Sequence, residues 1–351
     1  MVVVMSPDAS TDDVDSVVGR VTAAGGDAFV SRGVNRTIIG LVGDVEQFRA
    51  LNLRTMRGVS EVLRISTPYK LVSRQNHPDM STVWVKGVPI GPETVTLLAG
   101  PCAVESPEQT YEAAQMAKAA GATILRGGAF KPRTSPYAFQ GLGRRGLEIL
   151  AEVGRSLDMP VVTEVVDPHD VDLVAKHADM LQIGTRNMQN FGLLQAAGGA
   201  GLPVLLKRGL QATIEEWLMA AEYVAQRGTL DIVLCERGIR TFEKATRFTL
   251  DISAVPVVHG LSHLPVLVDP SHSGGRRDLV LPLSRAAIAV GADGIIVDVH
   301  PHPEDALCDG PQALVDSDLR ALAAATRALP PLVGRTLAEP SPRLDSTPSP
   351  V

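Results

Sequence analysis

Six cations recur where short apolar runs end or just beyond: Arg126, Lys131, Arg133, Arg186, Lys207 and Arg237. Arginine offers a planar, bidentate fork to phosphate and carboxylate, whereas lysine acts as a movable point charge. Three of the six fall in the stretch "ILRGGAFKPRTSPYAFQG", where Pro132 and Pro136 stiffen the chain and glycines open its backbone. A solvated tail needs no such restraint. Gathered in one place, six like charges would repel one another unless anions offset them. Neighbouring carboxylates such as Glu164 and Glu236 account for a single arginine as well as a ligand does. A ligand set with several negative charges, phosphorylated acids or sugars, accounts for all six together.

A second group has the chemistry of a metal site. Cys102, His272, Asp298 and Asp309 combine thiolate, imidazole and carboxylate, donors that suit a divalent ion such as Zn²⁺, Fe²⁺, Co²⁺ or Mn²⁺. Their separations are long and carry no finger-like spacing, so only a fold that gathers them gives the set meaning. The segment "VDVHPHPEDALCDG" also offers His300, His302 and Cys308, and residue type alone does not choose among them. In "DPSHSGGRRDLV", Gly274 and Gly275 permit close backbone approach and Arg276 and Arg277 add charge. That stretch suits a phosphate loop, and equally an exposed turn or a subunit contact.

The elements needed to gather these groups are legible from Val95 onward. Short apolar strands ("VTLLAG", "ATILRG", "PVVTEV", "DMLQIG", "PVLLKR", "DIVLCE", "LPVLVDP", "GIIVDVH") alternate with amphipathic helical stretches such as "SPEQTYEAAQMAKAAG" and "TIEEWLMAAEYVAQRG". Eight strands over about 240 residues fit a (β/α)₈ TIM barrel, with an open doubly wound sheet as the alternative. Polar residues at or just after the strands favour the barrel. Cys102 follows strand one, and Arg126, Glu164, Arg186 and Lys207 belong to strands two to five. Glu236 and Arg237 belong to strand six, Asp269 and His272 to strand seven, and Asp298 and His300 to strand eight. In a barrel these ends converge on one mouth, where active sites lie.

Residues 1–70 read as a separate small α+β domain. The order βαββαβ predicts a ferredoxin-like sandwich, with Thr11 or the nearby aspartates capping its first helix. Residues 71–94 read as a linker and a hairpin covering the other end of the barrel. The barrel itself is expected over 95–335, and the Pro/Ser-rich 336–351 as a disordered tail. A net charge of −6 and an aromatic content of 4% argue against nucleic-acid binding. No apolar run approaches the roughly 20 residues of a membrane span, and "MVVVMSPDAS" lacks the features of a secretory signal. Three scattered cysteines without a CxxC pair fit a reducing cytoplasm.

The motifs "AGPCAVES", "GGAFKPRTSPYAFQG", "EVVDP", "IGTRNMQN", "LLKRG", "LCERGIRTFE", "DPSHS" and "VDVHPHPEDALCDGPQAL" resemble those of the 3-deoxy-D-arabino-heptulosonate 7-phosphate (DAHP) synthases. The likeness is to the type Iβ branch, which carries an N-terminal ferredoxin-like regulatory domain. It implies condensation of phosphoenolpyruvate with D-erythrose 4-phosphate, releasing phosphate, as the first step of the shikimate pathway. By this resemblance Arg126, Lys131, Arg186, Lys207 and Arg237 hold phosphoenolpyruvate, and Arg133 and Thr134 receive erythrose 4-phosphate. The implied metal ligands are Cys102, His272, Asp298 and Asp309. At the third of these the family usually has Glu, and the missing methylene shortens the reach by roughly 1.5 Å. Lys131, Glu164 and a water on the metal are the candidate proton handlers.

The resemblance also implies a homotetramer, an aromatic amino-acid effector bound by residues 1–70 and a chorismate mutase as partner. An oligomerisation cap without ligand is the alternative for that domain. Rival readings are a 3-deoxy-manno-octulosonate 8-phosphate synthase, whose loop is of an Ala-Asn-Arg-Ser-Ser type where this chain has "KPRTS", and another metal-dependent phosphosugar barrel enzyme. A non-catalytic regulatory barrel, with Asp298 marking decay, is the third.

Overall fold

The structure is a computed structural model that describes residues 1–32, 36–63 and 67–340. Two compact units divide the chain, Met1–Pro68 and Tyr69–Val351.

In the first unit, β1 (Val2–Met5), α1 (Thr11–Ala23), β2 (Asp27–Arg32), β3 (Thr37–Val42), α2 (Val45–Ala50) and β4 (Val59–Leu63) follow in order. The strands form one antiparallel sheet in the order β2-β3-β1-β4. Val14, Val17 and Val21 lie at helical spacing on one face of α1 and pack on Val3, Met5, Ile39 and Phe48 of the same core. The cap of α1 is Ser10, not Thr11 or the aspartates alone. Ser10 is extended, its Oγ accepts from the backbone N–H of Asp13, and the Asp13 carboxylate accepts from the N–H of Ser10. Reciprocal bonding of this kind satisfies two orphan donors, so the helix starts one residue later than its cap.

The second unit opens on a segment that is docked rather than a free linker. The N–H groups of Leu71 and Val72 donate to the buried carboxylate of Glu222, and Ser262 Oγ donates to Val72 O. Next comes a hairpin, β5 (Val83–Val85) and β6 (Val88–Ile90), turned by Lys86 and Gly87, both at positive φ as a two-residue hairpin loop requires.

Eight parallel strands make the barrel: β7 (Thr94–Gly100), β8 (Ile124–Arg126), β9 (Val161–Val165), β10 (Met180–Ile183), β11 (Val204–Lys207), β12 (Ile232–Glu236), β13 (Val266–Val268) and β14 (Gly294–Asp298). Pairing of β14 with β7 closes the cylinder, in a register that sets Asp298 opposite Gly100. Between and after them run α3 (Pro107–Ala119), α4 (Arg144–Ser156), α5 (Val171–Ala175), α6 (Phe191–Gly198), α7 (Ile214–Ala225), α8 (Ala254–Leu261), α9 (Pro270–Gly274), α10 (Arg277–Ala289) and α11 (Asp316–Ala328). Alternate strand residues face inward. Leu98, Ile124, Val162, Met180, Leu205 and Ile296 fill the barrel axis, and the apolar side chains of the hairpin join the same cluster. Thr96, early in β7, donates to Pro89 O of the hairpin at 2.6 Å, which fixes that plug at the strands' N-terminal end. The opposite end is left for chemistry.

The tail expected from 336 starts later in its described part. Thr336–Leu337 form β15, parallel to Thr94–Val95, and Arg335 is anchored to Asp293 at 2.8 Å. Ala338 is buried. Residues 341–351, the rest of that expectation, lie outside the described residues.

Candidate functional site

At the C-terminal ends of the strands a cavity of about 320 Å³ is lined by Arg126, Lys131, Arg133, Thr134, Glu164, Arg186, Lys207, Arg237, His272 and Asp309. Cys102 lies within hydrogen-bond reach of Lys131 and Asp309, and Asp298 pairs with Arg126. The structure therefore gathers all twelve residues singled out for chemistry at one end of the barrel. They arrive from all eight strands or the segments that follow them, which an open sheet would not achieve.

The loop after β8 is shaped by backbone contacts. At Gly128 a Cβ would sit 2.7 Å from Cys102 O, and at Gly141, with φ +94°, only 2.1 Å from Ala129 O. Both glycines are required by close approach. Lys131 N–H donates to Gln140 O, which ties the loop's two limbs together. Its Nζ turns back to Cys102, donating to O at 2.9 Å and to Sγ at 3.1 Å. Just after β10, Arg186 Nη1 donates to Pro132 O and Nη2 to Thr134 Oγ1, so the cation pins the same loop.

Compensation of charge is partial. Lys207 Nζ meets Asp269 at 2.6 Å, both buried, and Arg126 Nη1 pairs with Asp298 while donating also to Pro101 O. Arg237 stacks its guanidinium 4.5 Å from the Phe248 ring centre, and burial lowers its pKa. Arg126 Nε and Arg237 Nη1 are buried donors with no hydrogen-bond partner among the described residues. Buried N–H groups are seldom left unmet, so two guanidinium donors without acceptors beside one cavity ask for an anion. Glu236, read from sequence as a strand-end group at the mouth, belongs elsewhere. Its Oε2 accepts from Arg208 at 3.0 Å and its Oε1 from Gly238 N–H at 2.8 Å, inside a fully buried prop.

Beside the cations, the donor atoms of the second group converge. Cys102 Sγ lies 3.2 Å from Asp309 Oδ2 and 3.9 Å from His272 Nε2; that nitrogen is 3.6 Å from Asp298 Oδ2 and 3.8 Å from Asp309 Oδ2. A tetrahedral ion with bonds of about 2.0–2.3 Å has edges of roughly 3.3–3.8 Å, so these four separations suit a small divalent cation, and Cys102, His272 and Asp298 bring donor atoms within 4.8 Å of one another. His272 is positioned by Asp269, whose carboxylate accepts from its N–H at 2.9 Å and meets Nδ1 at 2.8 Å. Metal-ligating histidines commonly have such a carboxylate behind them. Without an ion, burial opposes the imidazolium, but Asp269 and then Asp298 raise the His272 pKa to about 9. Burial works against Asp309 as well, yet His272 and Arg247 hold its carboxyl far below the usual range. For Cys102, Cys308 and burial push the thiol well up.

Of the competing residues, His300 faces Glu105 at 3.5 Å and His302 is largely exposed. Arg276 pairs with Asp278, and Arg277 donates to Ala313 O, so the phosphate-loop reading of these two gives way to local anchoring. Cys308 does sit with Cys102 and Asp309.

Three groups went unseen in the sequence. Arg247 donates to Asp309 Oδ1 at 2.8 Å and to Gln312 Oε1, Gln312 Nε2 donates to Asp298 Oδ2 at 2.5 Å, and Gln182 Nε2 to Glu164 Oε2 at 3.3 Å. Gln182 alone had a signal, because it lies inside a strand of otherwise apolar residues.

Comparison with known proteins is consistent along the chain. Residues 72–331 match the DAHP synthetase I family and residues 1–67 the DAHP synthase ferredoxin-like domain. Phospho-2-dehydro-3-deoxyheptonate aldolase of Thermotoga maritima is 54% identical over 314 residues, 90% of this chain and 93% of that protein. The crystal structure of that aldolase, a DAHP synthase, superimposes with a TM-score of 0.88 at 50% identity, covering 96% of this chain and 98% of the other. A truncated form of the Thermotoga synthase gives 0.72 at 52% identity, covering 77% and 99%. More distant is 2-dehydro-3-deoxyphosphooctonate aldolase of Pelobacter propionicus, 34% identical over 71% of this chain and 97% of that protein.

Proposed function

The chain belongs to the DAHP synthetase I family, and from that premise we propose that it condenses phosphoenolpyruvate with D-erythrose 4-phosphate and water, giving DAHP and phosphate. The observation that carries this reading is the pair of unmet buried guanidinium donors, Arg126 Nε and Arg237 Nη1, set among Lys131, Arg186 and Lys207. An enolpyruvate phosphate brings both a phosphate and a carboxylate to such a cradle. Arg133 and Thr134, on the restrained loop, are then left for the phosphate of the aldose. A cradle fixed before the substrate arrives lowers the ordering cost of binding and holds carbon 3 of the enol near the aldehyde.

In this reading C3 attacks the aldehyde, water adds at C2, and the C–O bond to phosphate breaks. Lys131, half-buried, with a pKa that burial lowers but neighbouring Cys102 and Cys308 raise on balance, supplies a proton to the former aldehyde oxygen. Glu164, steadied by Gln182, takes the proton of the water. Arginine and lysine charges stabilise the departing phosphate. Cys102, His272 and Asp309, with Asp298 beside them, are proposed to hold a divalent ion (Mn²⁺, Co²⁺, Fe²⁺ or Zn²⁺), which when bound would supply Lewis acidity to the aldehyde. Incubation with phosphoenolpyruvate carrying ¹⁸O in its C–O–P bridge tests the scheme. The label is expected in the released phosphate; label kept in the organic product would overturn it.

The octulosonate reading draws support only from relatives near 34% identity. Use of arabinose 5-phosphate would favour it. For residues 1–70 we propose binding of an aromatic amino-acid end product, and for the protein a homotetramer able to associate with a chorismate mutase. Deletion of residues 1–70 is then expected to abolish inhibition while leaving turnover, and inhibition that persists would refute it. No helix among the described residues is long and apolar enough to cross a membrane. Three free thiols suit a cytoplasmic location.

A further inference from the structure

The carboxylate expected to complete the metal site is already engaged. Asp298 is 1% exposed, its Oδ1 pairs with Arg126, and its Oδ2 accepts from Gln312 Nε2 at 2.5 Å. It is also one methylene shorter than the Glu expected there. An ion that took Asp298 as a full ligand would have to share it with a guanidinium and an amide.

A second triad of donors shares Cys102 with the first. Sγ of Cys102, Sγ of Cys308 and a carboxylate oxygen of Asp309 all lie within 4.8 Å of one another. Cys308 is buried, in a small cluster with Cys102, Ala103 and, at its edge, Phe139. Consecutive residues of an extended chain point to opposite sides, yet Cys308 and Asp309 reach one point. Asp309 adopts a left-handed backbone, φ +54°, a conformation uncommon outside glycine. Arg247 then clamps its carboxylate at 2.8 Å. Strain of this kind is kept where it aims side chains at a function.

We propose that Cys308 supplies a second thiolate to the metal, joining Cys102, His272 and Asp309, with Asp298 acting as an outer partner held by Arg126 and Gln312. The inference rests on the reading that this site holds a divalent ion. Binding forms two metal–sulfur bonds, breaks two S–H bonds and releases both protons to solvent. Soft sulfur donors favour Zn²⁺ over Mn²⁺, so this chain is tuned toward zinc.

Cobalt makes the sulfur count visible. The full-length protein, stripped by a chelator and loaded anaerobically with Co²⁺, is expected to show thiolate-to-cobalt charge-transfer absorbance that halves per bound ion in Cys308→Ser. In the same variant Zn²⁺ affinity is expected to fall by more than the roughly 10–100-fold typical of losing an outer partner, with Mn²⁺ affinity changed much less. Equal absorbance per cobalt and an equal Zn²⁺/Mn²⁺ preference in Cys308→Ser and wild type would overturn the proposal while leaving the metal site intact. A wild type that binds no cobalt would overturn both. Should the variant not fold, zinc X-ray absorption of the wild type decides: two sulfurs at about 2.3 Å support the inference and one refutes it.

Discussion

Replacing Arg208 by Met isolates one buried electrostatic prop beneath the cradle. Arg208 is 5% exposed; its Nη1 donates to Glu236 at 3.0 Å and Asp251 at 2.8 Å, and its Nε to Ala212 O. Met fills similar volume but leaves Glu236, fully buried, with only the N–H groups of Gly238 and Asp251 at 2.8 and 3.4 Å. Breaking a buried pair from one side costs about 3–5 kcal/mol. Asp251 is partly exposed and can rehydrate, so the lower half of that range is expected. At about 2 °C per kcal/mol for a unit of this size, the melting midpoint should fall by roughly 6–8 °C, read by circular dichroism.

The deficit should also depend on pH. Burial already raises the Glu236 pKa, and losing Arg208 raises it further. A raised folded-state pKa favours folding at low pH, and that contribution is lost as pH rises through it. The gap between variant and wild type should therefore narrow from pH 7 to pH 5. Adding Glu236→Gln should restore much of the loss, because the amide oxygen still accepts from Gly238. A deficit below about 1 kcal/mol, or one that does not change with pH, would refute the reasoning that an orphaned carboxylate is what costs.

Asp269→Asn keeps the helix cap but removes the anion shared by Lys207 and His272, and metal affinity measured by competition should fall about 10–100-fold. Gly141→Ala places a methyl 2.1 Å from Ala129 O at φ +94°; the loop carrying Arg133 should shift, raising KM for the aldose phosphate while the barrel's melting midpoint moves little. Burial lowers the pKa of His263, bonded to Ser81 and Leu71 O. The unfolded chain therefore takes up a proton first as pH drops below about 6.5, stability declines there, and His263→Gln should flatten that decline in urea titrations.

The barrel was legible because its signal is local. Eight apolar runs of strand length, each followed by a polar group, need no knowledge of what touches what, and closure then gathers Arg126, Lys207, Arg237 and His272 at one mouth. The small domain was legible for the same reason, from the βαββαβ order of its strand-like and helical stretches. What stayed hidden depends on pairing through space. Glu236 and Arg208 meet across neighbouring strands, so a residue read as facing the mouth is in fact spoken for. Arg247 lies in an irregular segment and Gln312 in a single 3₁₀ turn, where no sustained period says which way a side chain turns, and both hold the carboxylates of the metal group. Asp298 shows the limit most clearly. Its type marks it as a donor, but only the geometry reveals Arg126 and Gln312 on its two oxygens. The docking of 71–72 and of β15 was hidden likewise, since Pro- and Ser-rich composition reports solvation and not backbone partners.

Consumption of phosphoenolpyruvate by the purified, metal-loaded protein, offered erythrose 4-phosphate or arabinose 5-phosphate in parallel, tests the central claim most directly. The account predicts one phosphate released per enol consumed with the four-carbon sugar, at least about a hundredfold slower reaction with the five-carbon one, as a misfit among fixed polar groups implies, and no reaction when the metal is withheld. Equal or faster turnover with arabinose 5-phosphate, or none with either sugar under any of Mn²⁺, Co²⁺, Fe²⁺ and Zn²⁺, would contradict it.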